Sequence, residues 1–253
     1  MKPIYKTTVI QDKGRRPVQE DTVGYRNYKR GRNVSHILIV ADGVGGTDRG
    51  GNASAFVVQS LLGWYEKGKE SLFDKDTDEI IEEVRDEVFW IDERLKSRSK
   101  GDRFTYGSTL TMVLTLNSRC AVFQIGDSRA YLKGQGQAFQ MEVDQTRYQQ
   151  CIERGIKIPK GKETKYKSTI TQCIGAMDKV PITVVTKSIL PDEYAILVST
   201  DGFYTFISQD ELNYILDKGR DDEVVLKETI KTVLERGEQD NISCILHRKE
   251  YIQ

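Results

Sequence analysis

The sequence predicts an α+β fold in which antiparallel sheets are flanked by helices. Apolar, β-branched runs come in groups joined by short Asn, Ser and Gly turns, the signature of antiparallel strands. Helical periodicities follow these strand groups in both halves of the chain. Strands and helices do not alternate one by one, which argues against a doubly wound parallel sheet. The 253 residues show no repeat, low-complexity tract or linker and are expected to form one domain over 1–253.

The elements follow in order. Residues 4–10 are expected to open the chain as a strand. A turn at Asp12-Lys13-Gly14 leads to a polar loop from Arg15 to Asp21. A hairpin centred on residues 29–33 precedes the apolar run Ser35 to Ala41, which ends in Asp42-Gly43-Val44-Gly45-Gly46. Ala53, Phe56, Val57, Leu61 and Trp64 fall at helical spacing and predict a helix over 52–66. Asp76 and Glu79 form a capping box for a second helix, with the stripe Ile80, Val84, Val88, Ile91 and Leu95 and an end near Gly101. Residues 107–142 read as an antiparallel meander.

Residues 145–170 interrupt the pattern with seven basic residues against two acidic ones, a local balance of +5. Strands at about 181–188 and 193–200 follow. Ser208 with Glu211 caps a short helix, Leu226 to Leu234 mark another, and 242–247 form a last strand.

Charge narrows the function classes. Lys+Arg and Asp+Glu are 38 each, so net charge gives no argument for nucleic-acid or membrane binding. No run approaches the roughly 18 apolar residues of a membrane span. With no secretory h-region at the N-terminus and no Cys-x-x-Cys pair among four cysteines, a cytoplasmic setting with reduced thiols is expected. Only two histidines occur, His36 and His247, both inside expected strands. A Ser-His-Asp triad or a zinc-histidine centre is therefore disfavoured.

Carboxylates at element ends remain: Glu20, Asp21, Asp42, Asp127, Asp201 and Asp240. Taken singly, each reads as a turn former or cap. Together they share a context, beside glycine, asparagine or a second acid at the mouth of an apolar strand. Two strands end in the same Asp-Gly step, Asp42-Gly43 and Asp201-Gly202, as if two carboxylates converged on one spot. Hard oxygen donors of this kind suit magnesium or manganese.

Six motifs occur in order: Arg16-x-x-Gln19-Glu20-Asp21; Asp42-Gly43-Val44-Gly45-Gly46 with Ala53-Ser54; Gly107-Ser108-Thr109; Gly126-Asp127-Ser128-Arg129-Ala130-Tyr131; Ser199-Thr200-Asp201-Gly202; and Asp240-Asn241-Ile242-Ser243. In this order they resemble the Mg2+/Mn2+-dependent protein serine/threonine phosphatases of the 2C type, in their bacterial branch, over about residues 5–248. The resemblance implies a four-layer αββα sandwich with a flap-like insertion at about 145–170.

It also implies a ligand set. Asp42, the Gly43 carbonyl, Asp201 and Asp240 would hold two principal Mn2+ or Mg2+ ions, joined directly or through water by Glu20 or Asp21. Asp127 with Asp201 would form a weaker third position, and Arg16 would bind phosphate. The implied reaction is direct attack of metal-bound hydroxide on phosphoserine or phosphothreonine. Implied partners are phosphorylated proteins, the substrates of a cytosolic serine/threonine kinase, and the chain is expected to be a monomer. The alternative is a weak or silent domain of the same fold that binds phosphoproteins as a regulatory module. The sequence departs from the pattern at Val44 (histidine in many relatives), Gln19 (asparagine), Gly51 (glutamate) and Gln145 (histidine).

Overall fold

Strand β3 (Asn33–Ala41) explains why four layers are needed. Successive side chains of a strand point to opposite faces, yet Ile37 to Ala41 are all fully buried. Ile37, Ile39 and Ala41 pack under helices α1 (Asp48–Gly68) and α2 (Thr77–Asp102), while Leu38 and Val40 enter a separate core shared with a second sheet. A strand covered on both faces must lie in an inner layer. The computed structural model describes residues 2–44, 48–102, 105–177 and 184–251. Gly45, Gly46 and the expected strand start at 181 lie outside the described residues.

The first sheet runs β10 (Val184–Ile189), β7 (Arg119–Ile125), β6 (Leu110–Leu116), β3, β2 (Thr22–Arg30). The second runs β1 (Pro3–Asp12), β12 (Ile242–Tyr251), β11 (Tyr194–Ser199), β8 (Arg129–Lys133), β9 (Phe139–Gln140). Every pairing in both sheets is antiparallel. Leu197, Cys244 and Leu246 turn outward under α6 (Gln209–Leu216) and α7 (Asp222–Glu235), whereas Ile196, Val198 and Ile245 turn inward. The αββα sandwich is thus observed.

Both capping boxes form. Asp76 and Glu79 exchange side-chain to backbone bonds at 2.8 and 2.9 Å, and Ser208 pairs in the same way with Glu211. Helix α1 extends the expected 52–66 span by four residues at its start and two at its end.

The expected meander over 107–142 is corrected. β6 pairs with β7 and β8 with β9, but β7 and β8 belong to different sheets. The chain changes layer at Gly126-Asp127-Ser128. Short connections fix antiparallel neighbours only when both strands bury the same faces. Here β7 and β8 share the inner core through Val122 and Ala130, but Phe123 and Ile125 pack outward under α1 and α2 while Tyr131 packs outward under α6 and α7. The segment expected to interrupt the pattern contains two short helices, α3 (Arg147–Glu153) and α4 (Glu163–Lys167). No helix among the described residues is long and apolar enough to cross a membrane.

The two histidines are structural, as expected. Their ring centroids lie 4.3 Å apart between the sheets, the planes tilted by 48°, with Tyr5, Tyr25 and Tyr194 around them. Burial pushes His36 down to about 4; burial and its neighbour push His247 down to about 3. All four cysteines are buried free thiols.

Candidate active site

Strand register brings the acidic turns to one end of the sandwich. Thr22 pairs with Ala41, so Asp21 and Asp42 leave adjacent strands of the first sheet side by side. Asp12 pairs with Ile242 and Ser199 with Cys244, so Asp240 and Asp201 leave adjacent strands of the second. Asp127 sits in the layer-changing turn between them. Asp201 is also the first residue of α5 (Asp201–Tyr204), where the helix N-terminus favours a carboxylate.

Backbone and hydroxyl bonds fix these turns. The Asp42 amide donates to Thr109 Oγ1 at 2.9 Å, and the Thr109 amide donates back to the Asp42 carbonyl at 2.9 Å. The ribbon of β4 (Gly43–Val44) and β5 (Gly107–Ser108) continues this contact. The Gly43 amide donates to the Glu20 carbonyl at 3.1 Å, and Ser54 Oγ donates to the same oxygen. Thr200 Oγ1 donates to Asp21 Oδ2 at 2.9 Å, tying the two sheets together at the site.

Glycine is required where these turns touch. A β-carbon at Gly50, in the first turn of α1, would fall within 3 Å of both Glu20 Oε1 and the Gly43 carbonyl oxygen. Those two oxygens therefore flank one small cradle. At Gly202 a β-carbon would overlap the Asn241 carbonyl, so the Asp201 and Asp240 turns are in direct contact. Gly51, one of the departures, packs on the Gln19 carbonyl at the far side of the same loop. Gln19 itself accepts from the Asp21 amide with its side-chain oxygen at 3.1 Å.

Asn241, Thr109 and Thr200 stand inside the quoted motifs, but sequence reasoning gave them no role. Asn241 Oδ1 accepts from the Glu20 amide at 2.7 Å, and its Nδ2 donates to the carbonyls of Lys13 and Val18 at 2.8 and 3.0 Å. It staples the Arg16 loop to the Asp240 turn across more than 220 residues. Thr200 and Asn241 had one sequence signal, adjacency to Asp201 and Asp240; Thr109 has no acid beside it.

Electrostatics at this end are unfavourable to so many negative charges. Burial, then Asp21, Asp201, Asp127 and Asp240, raises Asp42 well above the carboxylate range. Burial, then Asp201 and Asp144, raises Asp127 likewise. Asp21 is pushed up to about 7 by burial, opposed by hydrogen bonds from Ser243 and Thr200 and assisted by Asp201 and Asp240. Asp201 is pushed up to about 6, by burial first and then by Asp240. Arg16 contributes positive charge: Nη2 donates to Asp240 Oδ2 at 2.6 Å, with Asp42 and Glu20 also in its field.

Among the described residues no three His, Cys, Asp or Glu side chains form a ready ion-ligating group. Asp240 is turned to Arg16 and Asp21 to Thr200, each taking the donor at hand. The donor set nevertheless fits hard divalent cations. It consists of oxygens alone, includes the Gly43 carbonyl beside Glu20, and carries mutual repulsion that bound positive charge relieves.

The family model described as "Protein phosphatase 2C" matches residues 15–247. A protein of Streptococcus pyogenes described as "Putative protein phosphatase 2C-type" is 26% identical over 252 residues, covering 99% of this chain and 98% of its own. The "Serine/threonine phosphatase stp" of Listeria welshimeri is 26% identical over 220 residues, 86% of each chain. Among solved structures, the S. agalactiae serine/threonine phosphatase superposes with a TM-score of 0.83 at 21% identity, over 99% of this chain and 100% of that one. The catalytic domain of the serine/threonine protein phosphatase PstP, crystallised with two manganese ions, superposes at 0.76 and 21% identity, over 99% of this chain and 100% of that one. With its αββα layers and acidic end, this chain belongs to the protein phosphatase 2C family.

Proposed function

We propose that this protein serine/threonine phosphatase hydrolyses phosphoserine and phosphothreonine in proteins with Mn2+ or Mg2+ bound at the acidic end of its sandwich. The observation that carries the reading is the meeting of Asp21, Asp42, Asp127, Asp201 and Asp240, from strand ends of both sheets, with Arg16 beside them. In this reading Asp42, the Gly43 carbonyl, Asp201 and Asp240 hold the two principal ions, with Glu20 or Asp21 joining directly or through water. Asp127 with Asp201 holds a weaker third.

The chemistry such a pair of ions supplies is a water that loses its proton near neutral pH and can attack phosphorus directly. In this reading Arg16 holds phosphate oxygens with the guanidinium that donates to Asp240 in this structure. Val44 carries no proton, and both histidines lie in the core between the sheets. Neither position therefore protonates the leaving alkoxide. Keeping every expected acid distinguishes the chain from a silent phosphoprotein-binding module, which has no need of them.

The test is hydrolysis of p-nitrophenyl phosphate and of a phosphothreonine peptide, with and without manganese, by wild type and Asp201→Ala. Manganese-dependent turnover lost in the variant supports the reading. Metal-independent turnover, or an inert wild type, overturns it.

A further inference from the structure

Gln145 stands where two parts of the chain meet. Its side-chain Oε1 accepts from the Gly126 amide at 2.8 Å, and its own amide donates to the Gly126 carbonyl at 2.8 Å. Its carbonyl accepts twice from Thr171, from the amide at 2.7 Å and the hydroxyl at 2.9 Å. Gly126, at φ +102°, opens the turn that changes layers and presents Asp127. Thr171 closes the neck of the basic insertion, where Thr146 bridges Ile170 and the Arg147 amide donates to the Thr169 carbonyl. One residue thus makes two bonds to the acidic turn and two to the neck.

Closing the neck needs only the backbone of residue 145, and the side chain does something else. It reaches the turn. The preceding residue grips the same turn from the other side: Asp144 holds Arg129 in a bidentate pair at 2.8 and 2.6 Å. The Arg129 guanidinium lies 3.8 Å over the Tyr204 ring, and Tyr204 OH donates to the Asp127 carbonyl at 2.8 Å.

We infer that Gln145 is a positioning residue that couples the Gly126–Asp127 turn to the pose of the basic insertion carrying α3 and α4. Whatever steadies the neck of the insertion tightens the Asp127 turn, and whatever steadies the turn steadies the neck. The coupling itself rests on the hydrogen bonds. Its consequence for turnover rests on the phosphatase reading above.

The test uses the metal-free protein and two readouts. One is amide hydrogen exchange over residues 124–130. The other is tryptic cleavage after Lys157, Lys160, Lys162 and Lys165, all exposed. Gln145→Leu is expected to speed both severalfold while exchange in β3 and β12 stays unchanged. Gln145→Glu, which keeps the Oε1 acceptor, is expected to restore both to within about twofold of wild type. Thr171→Val touches only the insertion side and is expected to raise exchange over 124–130.

The inference is overturned if Thr171→Val leaves that exchange unmoved, or if the Glu variant is as loose as Leu. Should Gln145→Leu fail to fold, these two variants decide the question alone. Neither readout involves turnover, so an enzyme inert on phosphopeptides overturns the functional reading and leaves the coupling standing.

Discussion

Asn241 anchors the Arg16 loop with three hydrogen bonds. Asn241→Ala strands the buried Glu20 amide and frees two carbonyls. It is expected to cost on the order of 3 kcal/mol in urea denaturation and to raise the manganese concentration needed for half-maximal activity. Arg16→Ala makes a sharper separation. On the proposed reading it removes the phosphate-holding guanidinium and should lower kcat/KM on a phosphothreonine peptide by about 10- to 100-fold, the loss of roughly 1.5–3 kcal/mol. The manganese requirement should hardly change. A variant whose manganese requirement rises in parallel would show that Arg16 serves the ion site, through Asp240, rather than the substrate. Asp42→Asn is expected to abolish turnover yet raise the melting temperature of the metal-free protein, because it removes one of the mutually repelling acids.

At the scale of elements, a buried ion pair joins the second sheet to its helices beside the apolar contacts of Leu197, Cys244 and Leu246. Arg248, on β12, donates to Asp222 at the start of α7 and to the carbonyls of Ile215 and Leu216 at the end of α6. Both partners are almost fully buried, and Lys6 lies 3.1 Å from the other Asp222 oxygen. Arg248→Ala leaves Asp222 buried and the last turn of α6 uncapped, and is expected to destabilise by about 3–5 kcal/mol. Arg248 is seven residues along β12 from Asn241, about 20 Å from the acidic end at the usual strand rise. Metal-saturated kcat should therefore stay within a factor of two at a temperature where the variant remains folded. A fall in kcat without loss of stability would contradict this division between frame and site.

For the whole molecule, the buried titratable groups pull stability in opposite directions with pH. Asp21 and Asp201 have folded pKa values near 7 and 6, above their unfolded values near 3.9. Between about pH 4 and 7 the folded state therefore binds more protons through them, and stability falls as pH rises. Glu142, pushed up to about 8 by burial, acts in the same direction. His36 and His247 act oppositely: their folded values near 4 and 3 lie below 6.5, so their stabilisation is present above pH 6.5 and is lost as pH falls. The carboxylates outnumber the histidines, so the metal-free protein is expected to melt higher at pH 5.5 than at pH 7.5. Saturating manganese should reverse that order, because it binds the ionised acids of the folded state alone. Thermal melts at the two pH values, with and without manganese, check both signs.

Much of this architecture is written in local pattern. Capping boxes at Asp76 and Ser208, helical stripes and β-branched runs are set by neighbours three or four residues apart, and they formed where the sequence placed them. The acids were legible as candidates for the same reason, since each sits beside a turn residue. Tertiary structure decided which strands share a sheet. The 107–142 run reads as one meander, but the outer faces of its halves pack under different helix pairs and the strands part at Asp127. It also decided who holds the acids. Thr109 on Asp42, Thr200 on Asp21 and Asn241 on Glu20 are contacts between residues 67, 179 and 221 positions apart. Periodicity reports the faces of a single element, whereas a site assembled from two sheets depends on the register between elements, which no local pattern encodes.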